Sequence, residues 1–430
     1  MIDFNNTEVA FKLKSNKELK NAKFLFSLIR RPFIVHILGR LSRLALKIHL
    51  PVDWAVKPTL YRHFVGGENI KQCFHVVHRM AKKHVKSVLD FSVEAADSET
   101  AIKQTFREIK RSVVNTRLHS DIPFSVFKPT ALTTHSVLAK ASSHTTMTPA
   151  EQMAFNSFMQ RFDSLCAEAQ RAGKPVMVDA EDYCFQRAID RATEAMMIKY
   201  NKKTAVVYTT LQMYRHDRLK YLKYLIDLAN KHNIIIGIKY VRGAYLEKER
   251  RRAKEGKYPS PVYASKAETD KAFDEALQIS VENHSRIHIF CGTHNEASIV
   301  KLMEYMAEKG LPNNCPTIYI SQLYGMSDNL SFNAAKEGYN VVKYLPYGKI
   351  EHVLPYLIRR TEENSAIAGQ TGRELIMLKQ ELKRRKKKKE LKKESKKESK
   401  KESKKESKKE IVNRKSKKEN RKSKIVNRKS

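Results

Sequence analysis

Long apolar runs are missing from this 430-residue chain, and no stretch approaches the ~18 to 20 uninterrupted apolar residues of a membrane span. Phe24 to Leu50 comes nearest. Arg30, Arg31, Arg40, Arg43 and Lys47 break it at near-helical intervals, a pattern of basic amphipathic helices that dock on a bilayer or pack on the protein's own core. Cysteine is scarce as well. Cys73, Cys166, Cys184, Cys291 and Cys315 form no CxxC pair and no zinc-ligand rhythm, so a disulfide scaffold and a structural metal are excluded and buried free thiols are expected. No GxGxxG follows the first predicted strand, which removes the signature of a dinucleotide-binding unit. The opening MIDFNNTEVAFK has no apolar signal core, and Asp3 and Glu8 are unlike an Arg-rich transit peptide, so a cytosolic location is expected.

Acidic residues are in deficit, 46 against 83 Lys and Arg, for a net charge of +37. Such a balance is the mark of a nucleic-acid binder, but it is unevenly spread. Residues 381–430 hold 26 Lys and Arg and 8 acidic residues, so this tail carries +18 and the preceding 380 residues +19. KKES repeats from Lys392, and IVNRKS at 411–416 and again at 425–430, make the tail low in complexity with almost nothing apolar to bury. It is expected to be disordered, a solvated coil or transient charged helix with no specific nucleic-acid partner. The rest, with 41% hydrophobic and 9% aromatic residues overall, has the composition of a folded core. Three regions are expected: an N-terminal helical region at 1–85, a barrel domain at 86–375, argued from its strands below, and the basic tail at 376–430.

From about residue 86, short β-branched runs alternate with helical stretches. The runs are Val88–Val93, Phe124–Phe127, Val176–Asp179, Ala205–Thr209, Ile234–Val241, Ile287–Phe290, Thr317–Ile320 and Tyr339–Leu345. Between them, segments such as Arg218–Lys231 and Ala297–Lys309 carry apolar residues at i, i+3 and i+4, as crossover helices do. Eight such units predict a closed parallel (βα)8 barrel, with a doubly wound open sheet as the alternative.

A barrel of this kind places its active site at the C-terminal ends of the strands. The polar residues there are Lys128, Asp179, Glu181, Gln212, Arg242, Tyr245, Thr293, His294, Asn295 and Tyr344, a set that converges on one mouth. After the eighth strand, Tyr356, Arg359, Arg360 and Glu363 stand at i, i+3, i+4 and i+7 along one helical face. An adjacent Arg pair suits bidentate capture of a carboxylate or phosphate.

Five blocks, VMVDAE (176–181), KYVRGAY (239–245), GTHNE (292–296), QLYGM (322–326) and YLPYGKIEHVLPYLIRRTEEN (344–364), together resemble the proline dehydrogenases, flavin enzymes that oxidise proline. The likeness covers about residues 1–370 and stops before the lysine tail. It implies a distorted (βα)8 TIM-type barrel with noncovalent FAD, L-proline as substrate and 1-pyrroline-5-carboxylate as product. It also implies a membrane quinone as electron acceptor, and a bacterial cytoplasmic enzyme in peripheral contact with the inner membrane. By position, Arg359 and Arg360 correspond to the pair gripping the substrate carboxylate, with Lys128 as a third cation. Tyr245, Leu323, Tyr344 and Tyr356 correspond to the wall against the substrate ring. Asp179 matches the acidic residue at the reacting centre, and Lys239 stands where many bacterial members have Arg beside the flavin. Ala180, Gln212, Val241, Arg242, Gly243, Ala244, Thr293, His294 and Asn295 match FAD contacts, with Gly243 expected to let the cofactor approach the backbone.

Leu246 replaces an aromatic found in some relatives, and Pro129 follows Lys128 where others have Leu. Related hydroxyproline oxidases carry Ser at the position of Tyr344, so the tyrosine points to proline. Two other readings compete. A Schiff-base aldolase with Lys128 as nucleophile requires a buried neutral lysine and no flavin. A nucleic-acid-binding protein dominated by its tail leaves the strand-end residues without a purpose.

Overall fold

The computed structural model describes residues 2–31, 33, 56–92, 98–366 and 368–426, with side chains for all of these except 359–366, 368–371, 412, 415 and 418–426. The chain divides into two compact units, Met1–Leu375 and Ile376–Ser430.

All eight predicted strands are present: β1 Val85–Phe91, β2 Phe124–Phe127, β3 Val176–Val178, β4 Val207–Gln212, β5 Ile236–Val241, β6 Ile287–Gly292, β7 Ile318–Leu323 and β8 Val341–Tyr347. They pair in parallel in chain order, and β1 closes on β8 from Val85↔Val341 to Phe91↔Tyr347, so the sheet is a closed barrel rather than an open doubly wound sheet. β1 starts three residues before the predicted run, because Val85 and Lys86 are held in the sheet by β8. Val93 and Arg40, Arg43 and Lys47 lie outside the described residues.

Alternation along each strand builds two apolar layers. Val88, Phe124, Val126, Met177, Tyr208, Phe290, Val342 and Tyr344 pack together inside the barrel. Residues one step out of phase, such as Leu89, Val176, Val207, Ile238, Ile289 and Leu345, join the larger core beneath the helices. Tyr208 fits inside because β5 has Gly237 opposite it, where an added Cβ would lie 2.3 Å from the tyrosine ring. The predicted crossover helices form at Arg218–His232 and Glu296–Glu308. Helix Asn16–Ile29, started by a Ser15–Glu18 capping box, buries Leu25 and Ile29 against Val353, Leu354 and Leu357 of helix Ile350–Ala366.

In the second unit the expectation of disorder is corrected: the chain continues as helix from Ala368 to Val426. Residues 376–430 contain no Gly or Pro and are dominated by Lys, Arg and Glu, all good helix formers. Local ion pairs such as Arg384 and Arg385 with Glu381 add to that preference.

Candidate active site

The inward register of the strands explains why these particular side chains meet. Two residues beyond an inward-facing apolar residue, the next inward position reaches the C-terminal mouth. Val88 is thus followed by Asp90, Val126 by Lys128, Met177 by Asp179, Val342 by Tyr344, and Tyr208 by Thr210 and then Gln212. In β5 the same phase runs Gly237, Lys239, Val241. Asp90, Lys128, Asp179, Thr210, Gln212, Lys239, Val241 and Tyr344 line a cavity of about 960 Å³ at the mouth of the barrel.

Asp179 is the centre of the cavity floor. Its Oδ2 accepts a hydrogen bond from Lys128 Nζ at 2.8 Å, and its Oδ1 accepts from Lys239 Nζ and, at 3.0 Å, from the Tyr344 hydroxyl. Lys239 Nζ also donates to the Tyr344 hydroxyl at 3.0 Å. Burial alone would raise the Asp179 pKa, but the Lys128 and Lys239 ammoniums outweigh it and hold the carboxyl well below the usual carboxylate range. Burial would lower Lys128, yet Asp179 and Asp90 hold its pKa well above the ordinary lysine value. An ammonium kept charged and engaged is the opposite of the neutral nucleophile a Schiff-base aldolase needs. The bond to Asp179 uses one of the three N–H donors of Lys128, which also lines the cavity.

Two more carboxyls stand beside this cluster. Asp90, in the cavity wall, is raised by burial despite Lys128. Glu181 accepts from Thr130 Oγ1 at 2.7 Å, and burial pushes it up to about 7 from 4.5. Between those values the folded protein retains a proton at Glu181 that the unfolded chain has lost, so stability falls as pH rises through this window and levels off above it. The loss is on the order of 3 kcal/mol. Glu181→Gln should flatten this slope, and urea unfolding of both proteins at pH 5 and pH 8 checks it. Equal slopes would remove Glu181 from the account.

Elsewhere in the cavity wall the polar groups are tied to one another. Arg242 donates to Asp270 Oδ1 (2.6 Å), Thr293 Oγ1 (2.6 Å) and Ser298 Oγ (2.9 Å), and its guanidinium stacks on Phe273. Thr293 Oγ1 also accepts from the Asn295 amide, and Asn295 Oδ1 caps the following helix. His294 Nδ1 pairs with Ser327 Oγ at 2.9 Å. Gly243 has φ of 123°, and an added Cβ would lie 2.5 Å from the Tyr214 ring. Glycine is thus required by the backbone and by Tyr214, a different reason from the cofactor approach expected from sequence.

The proline dehydrogenase family model matches residues 73–373, which is most of the chain. This chain belongs to the proline dehydrogenase family. It is 30% identical over 378 residues to mitochondrial proline dehydrogenase 1 of Dictyostelium discoideum, covering 77% of this chain and 66% of that one. To hydroxyproline dehydrogenase of Xenopus laevis it is 27% identical over 411 residues, covering 87% and 88%. Among solved structures, proline utilization A of Bdellovibrio bacteriovorus, inactivated by N-propargylglycine, superposes with a TM-score of 0.65 at 20% identity. That match covers 84% of this chain but only 36% of the larger protein.

Proline dehydrogenases are FAD-dependent oxidoreductases. The cavity fits such a cofactor on its own chemistry. The Gln212 carboxamide oxygen is buried in its wall with no hydrogen-bond donor among the described residues, an acceptor placed for an N–H of a bound ring. Of the residues that the sequence matched to family positions, Ala180, Val241, Ala244, Tyr245, Leu323 and Tyr356 also line this cavity, along with those described above. Arg359 and Arg360 lie in helix Ile350–Ala366, one turn beyond Tyr356, and their side chains are outside the described residues.

Sequence reading missed Asp90, which lines the cavity two positions past inward-facing Val88. Looking beyond the end of an apolar run skips a polar residue inside the strand, whereas the period-two phase of Val88 points straight to it. It also missed Phe290, Ser321 and Gln322 in the wall. Gln322 Nε2 donates to the Thr293 carbonyl, holding β6 and β7 together at the mouth. Among the described residues no cluster could hold a metal ion, and no helix is long and apolar enough to cross a membrane.

Proposed function

We propose that this enzyme oxidises L-proline to 1-pyrroline-5-carboxylate and delivers the electrons to a membrane quinone. The observation that carries the reading is the single cavity that joins an orphaned acceptor at Gln212, the Lys239–Asp179–Tyr344 cluster and the apolar wall of Leu323 and Tyr356. When bound, FAD supplies the acceptor for the hydride leaving the carbon next to the substrate nitrogen.

The protein's own residues divide the remaining work. Ala180, Gln212, Val241, Arg242, Gly243, Ala244, Thr293, His294 and Asn295 would hold the cofactor along the β3–β6 side. Lys239, pinned by Asp179, puts a fixed positive charge at that wall, where it stabilises negative charge arriving with the hydride. Arg359 and Arg360, on the helix that also carries Tyr356, take the substrate carboxylate through the planar guanidinium fork. Tyr344, Tyr245 and Leu323 confine the ring. The substrate amine must be unprotonated to expel hydride, and a desolvated pocket rich in ammonium and guanidinium groups favours that form. Asp179, held ionised with a low pKa, is a weak proton acceptor at neutral pH; it orients the two ammoniums instead. For peripheral contact with a bilayer, helix Asn16–Ile29 offers exposed Phe24 beside Lys20 and Lys23, with Arg30 and Arg31 following.

The direct test is an absorbance spectrum of the purified protein before and after anaerobic addition of proline. An oxidised-flavin spectrum that bleaches with proline is expected; a colourless protein would sink the reading. A second expectation concerns the ring substituent. Tyr344 is 8% exposed and its hydroxyl is bonded to Asp179; with this phenol packed on the substrate ring, as the reading has it, no room is left for a 4-hydroxyl. Proline should be preferred over trans-4-hydroxyproline by roughly 10- to 100-fold in kcat/KM. Tyr344→Ser should narrow that ratio, and equal wild-type activity on both substrates would show that Tyr344 is not the selector.

A further inference from the structure

The family match ends at residue 373, so the C-terminal unit has to be read from its own residues. Seven consecutive cations, Lys383–Lys389, pass almost twice round the helix at about 100° per residue. The KKES repeats that begin at Lys392 behave differently. Four residues turn about 400°, so each repeat carries its lysine pair about 40° further round. The basic stripe therefore winds right-handedly about the helix once in roughly 36 residues, or about 54 Å, with Glu and Ser on the opposite side at every level.

From Lys392 to Lys409 the lysines sweep about 260° of the circumference. Between Glu390 and Lys417 the apolar residues are Leu391, Ile411 and Val412, and both Leu391 and Ile411 are exposed. The helix thus has no apolar stripe to sink among lipid headgroups. A planar bilayer meets one side of a helix and would leave much of the winding stripe facing water. A helix lying in the major groove of a duplex has phosphates along both walls, about 12 Å apart. The duplex carries one charge per ~1.7 Å of its axis.

We propose that this helix is a sequence-independent binding element for double-stranded nucleic acid. Lysine ammoniums contact phosphates as point charges, and each KKES repeat presents the same three residue types, so the repeats hold no varied set of side chains to match a particular base sequence.

The test uses the full chain and a fluorescent 40-base-pair duplex of mixed sequence, with anisotropy read across a salt series. The comparison protein is the full chain with Lys392, Lys393, Lys396, Lys397, Lys400, Lys401, Lys404 and Lys405 replaced by Gln, which has similar helix propensity. Far-UV circular dichroism confirms that the helix is retained. The wild type should bind two unrelated duplexes within twofold of each other. The variant should bind at least about tenfold more weakly at 150 mM salt, with the log K against log salt slope shallower by about 3 or more. Unchanged binding by the variant, or a strong preference for one duplex sequence, would overturn the proposal. So would displacement of the duplex by vesicles of 30% anionic lipid at equal charge concentration, which would assign the stripe to a bilayer.

Discussion

Asp179→Asn should lower kcat by at least about a hundredfold. The wild-type carboxylate accepts from Lys128, Lys239 and Tyr344 at once, in a part of the barrel where all four groups are largely shielded from water. The amide cannot balance two ammoniums and presents donors of its own, so two like charges are left together. Removing one partner from a buried charge cluster costs about 3 to 5 kcal/mol, and each 1.36 kcal/mol of barrel-mouth stabilisation lost from the transition state is a factor of ten. Dye-linked turnover measures the effect, and a kcat within fivefold of wild type would remove Asp179 from the centre of the mechanism. The double variant Asp179→Asn, Lys128→Met should recover part of the loss, since it removes the excess cation along with the anion. A double variant no better than the single one would mean that Asp179 does more than balance charge.

Arg359→Met should raise the KM for proline by at least about a hundredfold while the flavin stays bound. A charge-assisted partner of a carboxylate in a desolvated pocket contributes ~2 to 3 kcal/mol or more. The position fits that role: Tyr356 lines the cavity, and Arg359 follows one turn later in the same helix. The distinguishing readout is the split between constants, with KM changing far more than kcat. An unchanged KM with normal flavin absorbance would separate the arginine from substrate binding.

The eight strands were legible because a parallel barrel is buried on both faces, so its strands stand out as β-branched runs between amphipathic helices. Most of the polar residues lining the mouth were legible too, since they follow directly on the C-terminal ends of those runs. Asp90 escaped because it lies inside β1, one position before the strand's last residue Phe91, and not past the strand's end. Glu181 was visible as a strand-end acid, but its raised pKa follows from burial beside Thr130 and Lys128, groups 51 and 53 positions away in the chain. The tail was misread through composition: the absence of apolar residues argues against a packed core, yet helix formation in a stretch free of Gly and Pro needs only local propensity and i, i+4 pairing.

Local pattern by itself determined the strand count, the parallel order, the basic tail and the residue types at the barrel mouth, because periodicity and strand-helix alternation are properties of near neighbours. Tertiary structure alone decided closure over an open sheet, since that depends on β1 meeting β8 more than 250 residues later. It also decided the electrostatic state of the site. Lys128 and Asp179 follow the ends of β2 and β3 while Lys239 and Tyr344 lie in β5 and β8, and only their convergence in a low-dielectric mouth turns four ordinary side chains into one interacting cluster.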